Sequence, residues 1–260
     1  MMHIKRFIPL LCLLAFMACK NESSSAFAKA DAEVFLPKTN HQLRTVIKAE
    51  IAPTVDGLAN DPVWEQATWH ALDQRWIGEP YHEEDFQGRY KLAWTPEGLY
   101  LLAEINDDVL YDQHKNPLEL WWDDDCLEVF LDADNSGGGH QFTHNAFAYH
   151  VALDGNVVDL APGEVPTLYN SHVESAIQTE ASTSLWELKI LVFDDTFKDG
   201  GVNEPKILKA NDTLGFALAY CDNDGSAERE HFIGSVEVPG EDKNRGWIDA
   251  GIFGTIVLTE

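Results

Sequence analysis

The stretch that decides the fold runs from Trp121 to Asp132 and reads Trp-Trp-Asp-Asp-Asp-Cys-Leu-Glu-Val-Phe-Leu-Asp. Leu127, Val129 and Leu131 recur with a period of two, which predicts a β-strand with one face in a core. Glu128 lies out of phase with them, so we expect it on the opposite face of the sheet. Two indoles and three carboxylates precede this strand. An aromatic pair beside a polar strand face indicates a surface on which a ligand stacks.

Similar alternating segments recur along the chain, with turn residues between them. Residues 95–98 and 154–156 are typical of hairpin turns, whereas Asp61-Pro62 is typical of the start of a short helix. Short strands at this spacing, with few helical periods, predict an all-β protein, an antiparallel β-sandwich. The predicted strands cover residues 46–51, 89–94, 99–105, 127–131, 147–153, 157–160, 172–179, 185–193, 213–221 and 252–258.

The first 19 residues have the pattern of a targeting segment. Lys5 and Arg6 precede an apolar run, residues 7–17, that is too short to span a membrane, and the segment ends in Ala18-Cys19. This pattern resembles the bacterial lipoprotein signal and predicts lipidation of Cys19. The alternative is an ordinary secretory signal cleaved nearby. Both place the mature chain in the cell envelope, either lipid-anchored at the outer membrane or cell surface, or periplasmic.

The segment that follows the signal is rich in serine and lacks an apolar period. It reads as a flexible tether over residues 20–44, before a single domain over residues 45–260.

The chain carries 18 basic and 44 acidic residues, a formal net charge of −26. A field of this sign repels nucleic acid and anionic membrane surfaces, so we expect neither as a partner, apart from an N-terminal lipid in a membrane. Neutral ligands, cations and basic polymers remain. Sugars fit the 121–132 stretch, since their C–H faces pack on indole while flanking carboxylates accept hydroxyl hydrogen bonds. The acidity is equally accounted for by solubility in a salty habitat.

Several further motifs follow one another along the chain in a specific order. They are Ala52-Pro53-Thr54-Val55-Asp56-Gly57 leading to Trp64, the segment 92–103, Asp107-Asp108, the segment 122–132, the segment 213–220, and Gly246-Trp247 leading to Phe253-Gly254 and Leu258. Together they resemble the family 9 carbohydrate-binding modules, which are DOMON-like β-sandwiches of the jelly-roll type. One departure is Thr95, where the family usually has aspartate.

The resemblance implies a sugar-binding slot with named residues. Trp122 and Trp247 match the two tryptophans that clamp a terminal sugar. Glu128 matches a residue that bonds sugar hydroxyls, and Asn244 matches an amide of the same slot. His150 stands where the family has an arginine, and loss of a bidentate donor would change which hydroxyls are read. The resemblance also implies structural calcium.

Two carboxylate-rich turns are candidate calcium sites, because calcium prefers hard oxygen ligands. They contain Asp132 with Asp134, and Asp222 with Asp224. Ordinary Asp/Asn/Gly turns are the alternative in both cases. His140 and His144 lie beside three glycines, and we expect them to be loop histidines rather than a zinc pair.

Cys126 and Cys221 both fall in predicted strands. In an oxidising compartment they could form a disulfide, and the alternative is two buried thiols.

The remaining tryptophans divide by context. Trp64, Trp69, Trp94 and Trp186 are expected in the core. Trp76 and Trp121 are left open, with Trp121 a candidate for the rim of the slot.

The sequence is compatible with three functions. The first is noncatalytic binding of oligosaccharide or polysaccharide, in the service of an uptake system or a partner enzyme. A glycoside hydrolase is the second, although no carboxylate pair is singled out by spacing. A haem-binding electron-transfer domain is the third. Met/His ligation is excluded because Met1, Met2 and Met17 all lie in the targeting segment. No haem is expected, with bis-His ligation as the remote alternative, which a colourless purified protein would exclude.

Overall fold

The computed structural model describes residues 42–260. The predicted signal, the lipidation site Cys19 and nearly all of the tether lie outside the described residues. The strands are β1 (Arg44–Lys48), β2 (His70–Leu72), β3 (Gln74–Ile77), β4 (Phe86–Thr95), β5 (Gly98–Asp107), β6 (Cys126–Asp132), β7 (Phe147–Ala152), β8 (Val157–Ala161), β9 (Val165–Leu168), β10 (Val173–Glu180), β11 (Thr183–Ile190), β12 (Thr213–Asp222), β13 (His231–Gly234) and β14 (Gly254–Thr259). One α-helix, α1 (Pro62–Gln66), and two 3₁₀ helices, Arg245–Trp247 and Ala250–Ile252, complete the elements.

The strands form two layers that β1 joins at one edge. The first layer has the order β10-β11-β5-β4, and the second has the order β14-β12-β6-β7-β8-β9, with β13 and β3 extending from β12. Strand β1 lies between β4 and β14 and is parallel to both. Every other pairing of named strands is antiparallel. The predicted antiparallel β-sandwich is therefore confirmed, with β1 as a parallel exception.

The main core fills the space between the layers. Leu127, Val129 and Leu131 of β6 are buried there, as their alternation predicts, against residues such as Leu101 and Trp186 of the first layer. Trp94 lies in the same core, and Trp64 of α1 is buried in a separate cluster with Leu102. Trp69 differs from expectation, because it is half-buried, with the cationic groups of Arg89 and Lys91 against its ring.

A smaller apolar cluster covers the other face of the second layer. Residues that alternate with the core positions point here, and many are small. They are Cys126 and Phe130 of β6, Ala148 of β7, and Ala217, Ala219 and Cys221 of β12. Trp76 lies flat against Gly234 on this face and donates from Nε1 to the Val236 carbonyl, 2.8 Å away. We call this surface the outer face of the second layer.

Element boundaries mostly agree with the sequence patterns to within a few residues. The sequence missed β2, β3, β9 and β13, which have three or four residues each and are too short to show a period. Helix α1 begins after Asp61, but the Asp61 carboxylate accepts from the Thr54 N–H, 3.1 Å away, and does not cap the helix. Among residues 42–260 no helix is long and apolar enough to cross a membrane.

Candidate carbohydrate-binding site

A buried ion pair lies on the outer face of the second layer. Glu128 and His150 stand opposite each other across β6 and β7, with His150 Nε2 3.2 Å from Glu128 Oε2. Both residues are nearly inaccessible, with 2% and 8% of their surfaces exposed. Burial lowers the pKa of His150, but the Glu128 carboxylate outweighs burial and raises the pKa above its usual value. Since His150 Nδ1 also lies 3.2 Å from the Ala148 carbonyl, both ring nitrogens face acceptors, which suits the imidazolium form.

Trp122 lies at one side of this pair, half-buried against the outer-face cluster. The edge of Trp121 meets it with ring centroids 4.8 Å apart. Trp121 is only 7% exposed and its ring lies 6.1 Å from His150. It therefore packs against Trp122 and, with His150, lines a pocket, so a place at the rim of the slot stays a prediction.

The three carboxylates after the tryptophan pair bind the protein's own backbone. Asp123 accepts from the Arg229 N–H at 3.0 Å, and Asp124 accepts from the N–H groups of Gln113 and His114 at 3.0 and 2.9 Å. Asp125 accepts from the N–H groups of Tyr111 and Asn223 at 2.6 and 2.9 Å.

All three aspartates are buried. Their carboxylates accept hydrogen bonds from backbone N–H groups and so fix the surrounding loops, and Asp124 and Asp125 also line a pocket with His150. Acceptance of sugar hydroxyls by these aspartates stays a prediction.

Trp247, which belongs to the C-terminal part of the chain, also lies near the outer face. It ends the 3₁₀ helix Arg245–Trp247, and Gly246 within this helix packs on Phe130 so closely that a Cβ would lie 3.1 Å from the ring. His140 donates from Nε2 to the Gly246 carbonyl at 2.8 Å. Phe142 packs edge-on to the half-buried Trp247 indole, at 6.3 Å between ring centroids. These contacts hold Trp247 near the face that carries Glu128.

Asn244 is engaged by an arginine that the sequence analysis missed. Arg229 Nη2 donates to Asn244 Oδ1 at 3.0 Å, and Arg229 Nη1 lies 3.1 Å from Cys221 Sγ. The guanidinium carbon lies 4.0 Å from the centre of the Phe232 ring. Burial lowers the pKa of Arg229, but Cys221 and Glu128 outweigh it and raise the pKa.

A signal for this arginine was present in the sequence. Arg229 is the only lysine or arginine between residues 210 and 242, within a strongly acidic stretch. The outer face thus holds a guanidinium although His150 stands at the position where the resemblance implies an arginine.

Cys126 and Cys221 stand directly opposite each other on β6 and β12, and both are free, buried thiols in the structure. Of the two alternatives left open by the sequence, the structure therefore has the thiols. Burial raises the pKa of Cys221, but the hydrogen bond from Cys126 and the charge of Arg229 lower it to about 7.

Cys221 also lies within 4.8 Å of ligand atoms of Glu128 and His150. A metal ion does not suit this trio, because the Arg229 guanidinium already lies against the sulfur and repels a cation.

A second group of carboxylates lies where β5 and β12 end. Oxygens of Asp107, Asp222 and Asp224 lie within 4.8 Å of one another, and Asp224 also joins Asp85 and Asp108 in the same way. Burial, followed by the neighbouring carboxylates, raises the pKa of Asp222 to about 8. Burial raises the pKa of Asp107 to about 6. Clustered hard oxygen atoms of this kind fit a calcium ion.

The other predicted calcium turn is differently arranged. Asp132 accepts from the N–H groups of Asp134 and Gly137 at 3.2 and 2.8 Å, and Lys206 Nζ donates to the Ala133 carbonyl at 2.7 Å. Asp132 and Asp134 join no third metal-ligating side chain among residues 42–260. Their oxygens organise an ordinary turn that a lysine helps to neutralise, and calcium there stays a prediction.

His140 and His144 are buried, and neither belongs to a potential metal-binding group within the described part of the chain. His144 Nε2 lies 2.8 Å from Asp199 Oδ2, and His140 has its contact with the Gly246 carbonyl. Each imidazole ring therefore has a hydrogen-bond partner. They are satisfied structural histidines, although more buried than loop residues usually are.

Comparison with known proteins identifies the family of this arrangement. The family model described as carbohydrate family 9 binding domain-like matches residues 55–260. The chain belongs to this family. The match covers α1 and every strand except β1, so the outer face of the second layer falls within the family 9 domain.

Solved structures of family 9 modules share the fold. A family 9 module from Caldicellulosiruptor kristjanssonii in complex with cellotriose matches with a TM-score of 0.64 and 19% identity, over 84% of this chain and 94% of that chain. The module in complex with glucose matches with a TM-score of 0.61 and 19% identity, over 83% and 96% of the two chains. At this identity the likeness shows the fold alone.

Curated relatives are much longer than the shared region. Endo-1,4-beta-xylanase A of Thermotoga neapolitana is 28% identical over 34% of this chain, which is 8% of the xylanase. Endo-1,4-beta-xylanase C of Paenibacillus barcinonensis is 28% identical over 59% of this chain, which is 14% of that enzyme. The family 9 domain therefore spans only a small part of the length of these relatives.

Proposed function

We propose that this family 9 domain binds carbohydrate without catalysing its cleavage. A terminal sugar ring would lie between Trp122 and Trp247, with hydroxyls bonded to Glu128 and Asn244, and His150 holding Glu128 in place. The observation that carries the proposal is the buried Glu128–His150 ion pair on a face approached by two half-buried indoles. Charge buried at the base of an aromatic site is retained at a cost to folding, which is typical of ligand recognition.

The physical chemistry predicts modest affinity. Indole rings contribute roughly 1 kcal/mol each through stacking beyond the area they bury, and hydrogen bonds to a charged group contribute about 1.5–3 kcal/mol each. After the cost of association, we expect dissociation constants between about 1 μM and 1 mM.

Neutral glucans and xylans are the proposed ligand class. Family 9 modules are known in complex with cellotriose and glucose, and the sequence relatives are xylanases. A net charge of −26 further disfavours anionic sugars such as uronic acids.

Calorimetric titration with cello- and xylo-oligosaccharides tests the proposal. We expect saturable binding that is lost in Trp247→Ala. Trp69→Ala is the matched control, because it removes a half-buried indole elsewhere on the surface and should leave affinity unchanged. Binding that survives Trp247→Ala would contradict the clamp, and absence of heat with every sugar would contradict the function.

The noncatalytic part of the proposal has its own test. We expect no release of reducing sugar from xylan or glucan over long incubation. Release that disappears in Glu128→Gln would instead establish a glycoside hydrolase.

We also propose that calcium binds the group formed by Asp107, Asp222 and Asp224. The support is three carboxylates held within 4.8 Å of one another at the ends of β5 and β12. Titration with calcium chloride should give a binding isotherm that Asp222→Asn weakens at least tenfold. Asp134→Asn is the control in the other turn, and an equal loss there would contradict the assignment.

The anchoring of the domain is a further proposal. Lys5, Arg6 and the Ala18-Cys19 junction support lipidation of Cys19 and export to the cell envelope. Metabolic labelling with a palmitate analogue should mark the wild-type chain and not Cys19→Ser. Equal labelling of both, or retention of the chain in the cytoplasm, would contradict it.

A further inference from the structure

We propose that Arg229 is the specificity-determining residue of the sugar slot, where its guanidinium orients Asn244 and supplies hydrogen-bond donors opposite Glu128. This inference rests on the proposed function, and it adds the residue that decides which sugars the slot accepts.

Arg229 connects the two segments that carry the indoles. Its backbone N–H donates to Asp123, the residue next to Trp122, at 3.0 Å. Its side chain donates to Asn244, three residues before Trp247, at 3.0 Å. These segments are more than 100 residues apart in the chain, and Arg229 links them through one hydrogen bond to each.

The guanidinium is held in a fixed position before any ligand arrives. It lies 4.0 Å from the centre of the Phe232 ring, and Nη1 lies 3.1 Å from Cys221 Sγ. The loop that leads to it is held by Asn223, whose Nδ2 donates to the Asp123 carbonyl at 2.6 Å and whose N–H donates to Asp125 at 2.9 Å. A group immobilised in advance loses little entropy on binding, so its hydrogen bonds contribute fully to affinity.

The contacts of Arg229 define what the slot presents to a ligand. Because Asn244 Oδ1 accepts from Arg229, the amide has its NH₂ group left to offer, which is a donor. A guanidinium has five N–H donors, and the contacts with Asn244 and Cys221 account for two. Glu128 provides carboxylate acceptors across the same face. Donors facing an acceptor suit two neighbouring hydroxyls of a neutral pyranose.

Such a site discriminates by geometry. Inversion of one of the two hydroxyls would leave a buried donor or acceptor without a partner, which a site built on hydrogen bonds rejects strongly. Lysine retains the charge of Arg229 but not its planar fork, so it cannot reproduce the fixed directions in which the guanidinium presents its donors to Asn244 and to a ligand.

The experiment compares wild type with Arg229→Lys by calorimetry, using cellotriose, glucose and the glucose epimers mannose and galactose. We expect Arg229→Lys to weaken cellotriose binding at least tenfold and to reduce the discrimination between glucose and its epimers. Arg89→Lys is the matched control, because Arg89 is exposed and stacks on Trp69 away from the slot. Melting temperatures within a few degrees of wild type would exclude a folding defect.

A second variant, Asn244→Asp, tests the orientation of the amide independently. It keeps an acceptor for Arg229 but removes the NH₂ donors, so cellotriose affinity should fall while the melting temperature does not. Wild-type affinity and selectivity in both variants would overturn the role of Arg229 and leave the proposed function standing. Failure of the wild-type chain to bind either cellotriose or glucose would overturn the proposed function itself for this ligand class, and the role of Arg229 with it.

Discussion

At Glu128 the cost of burial and the benefit of a charge partner are directly opposed. The carboxylate is 2% exposed, and a buried charge without a partner is strongly destabilising. His150 lies 3.2 Å from it, and the positive charge of Arg229 acts on the same carboxylate. The three residues come from β6, β7 and the segment after β12, so the ion pair is a product of tertiary structure.

The Glu128–His150 pair predicts a pH-dependent contribution to stability. Because Glu128 raises the pKa of His150, the stabilisation should be fully present below the unfolded value of about 6.5 and lost as pH rises through the folded value. We expect His150→Gln to cost about 2 kcal/mol near pH 6.5 and much less near pH 9. Urea unfolding at both pH values measures the difference.

His70→Gln is the control for this pH series. Burial, followed by the charge of Arg44, lowers the pKa of His70 to about 4, so its ring is neutral in the folded state over the whole range and its effect should be nearly flat. A His150→Gln effect that is equally flat would show that the imidazole is not charged in the folded state.

At the scale of elements, the outer face depends on close packing between β13 and the indole of Trp76. Gly234 of β13 pairs with Ala219 of β12, and a Cβ at Gly234 would lie 2.1 Å from the Trp76 ring. Small residues along β12 likewise leave room for large side chains to pack on the outer face of the second layer. A local sequence pattern reads such glycines as weak strand positions, although they are required by a neighbour distant in sequence.

Gly234→Ala should therefore destabilise the protein by about 1–3 kcal/mol through overpacking. The matched test repeats the substitution in a Trp76→Leu background, where the methyl group has room. We expect the cost of Gly234→Ala to fall in that background, giving a coupling energy in the double-mutant cycle. Chemical denaturation measures all four proteins, and an equal cost in both backgrounds would contradict the contact.

At the scale of the whole molecule, part of the excess negative charge is concentrated in one cluster of carboxylates, and the rest is spread over the surface. Asp85, Asp107, Asp108, Asp222 and Asp224 meet at one end of the sandwich. Burial is the main cause of the raised pKa values of Asp107 and Asp222, and the neighbouring carboxylates raise them further because like charges at such distances disfavour ionisation. A bound cation would remove this repulsion.

Stability should consequently depend on pH and calcium together. Carboxyl groups with pKa values raised from 3.8 to about 6 and about 8 contribute stability below pH 3.8 that is lost as pH rises to about 8. Calcium replaces the protons, so it should raise the melting temperature more at pH 8 than at pH 5. At about 100 times its dissociation constant, calcium should raise it by roughly 5–10 °C at pH 8. Differential scanning calorimetry with calcium or a chelator checks this, and an increase larger at pH 5 would contradict it.

Some residues lie where the sequence predicted them, and others do not. The period of two placed Leu127, Val129 and Leu131 in the core and Glu128 on the opposite face, as the structure has them. The stacking argument predicted that Asp123, Asp124 and Asp125 accept ligand hydroxyls, and it gave no sign that they also accept from backbone N–H groups of distant loops, as the structure has them. The position of Arg229 in an acidic stretch was the available signal for this residue, but nothing within its own segment indicates Asn244 as a partner.

The sequence by itself determined the strands, their buried faces and the family, because alternation, turn residues and motif order are properties of neighbouring residues. Only the tertiary structure decided how β1 lies parallel between the two layers, which carboxylates are occupied by backbone, and which cation faces Glu128. These depend on contacts between segments that lie tens to more than a hundred residues apart. Register and burial fix such contacts only once the whole sandwich has formed.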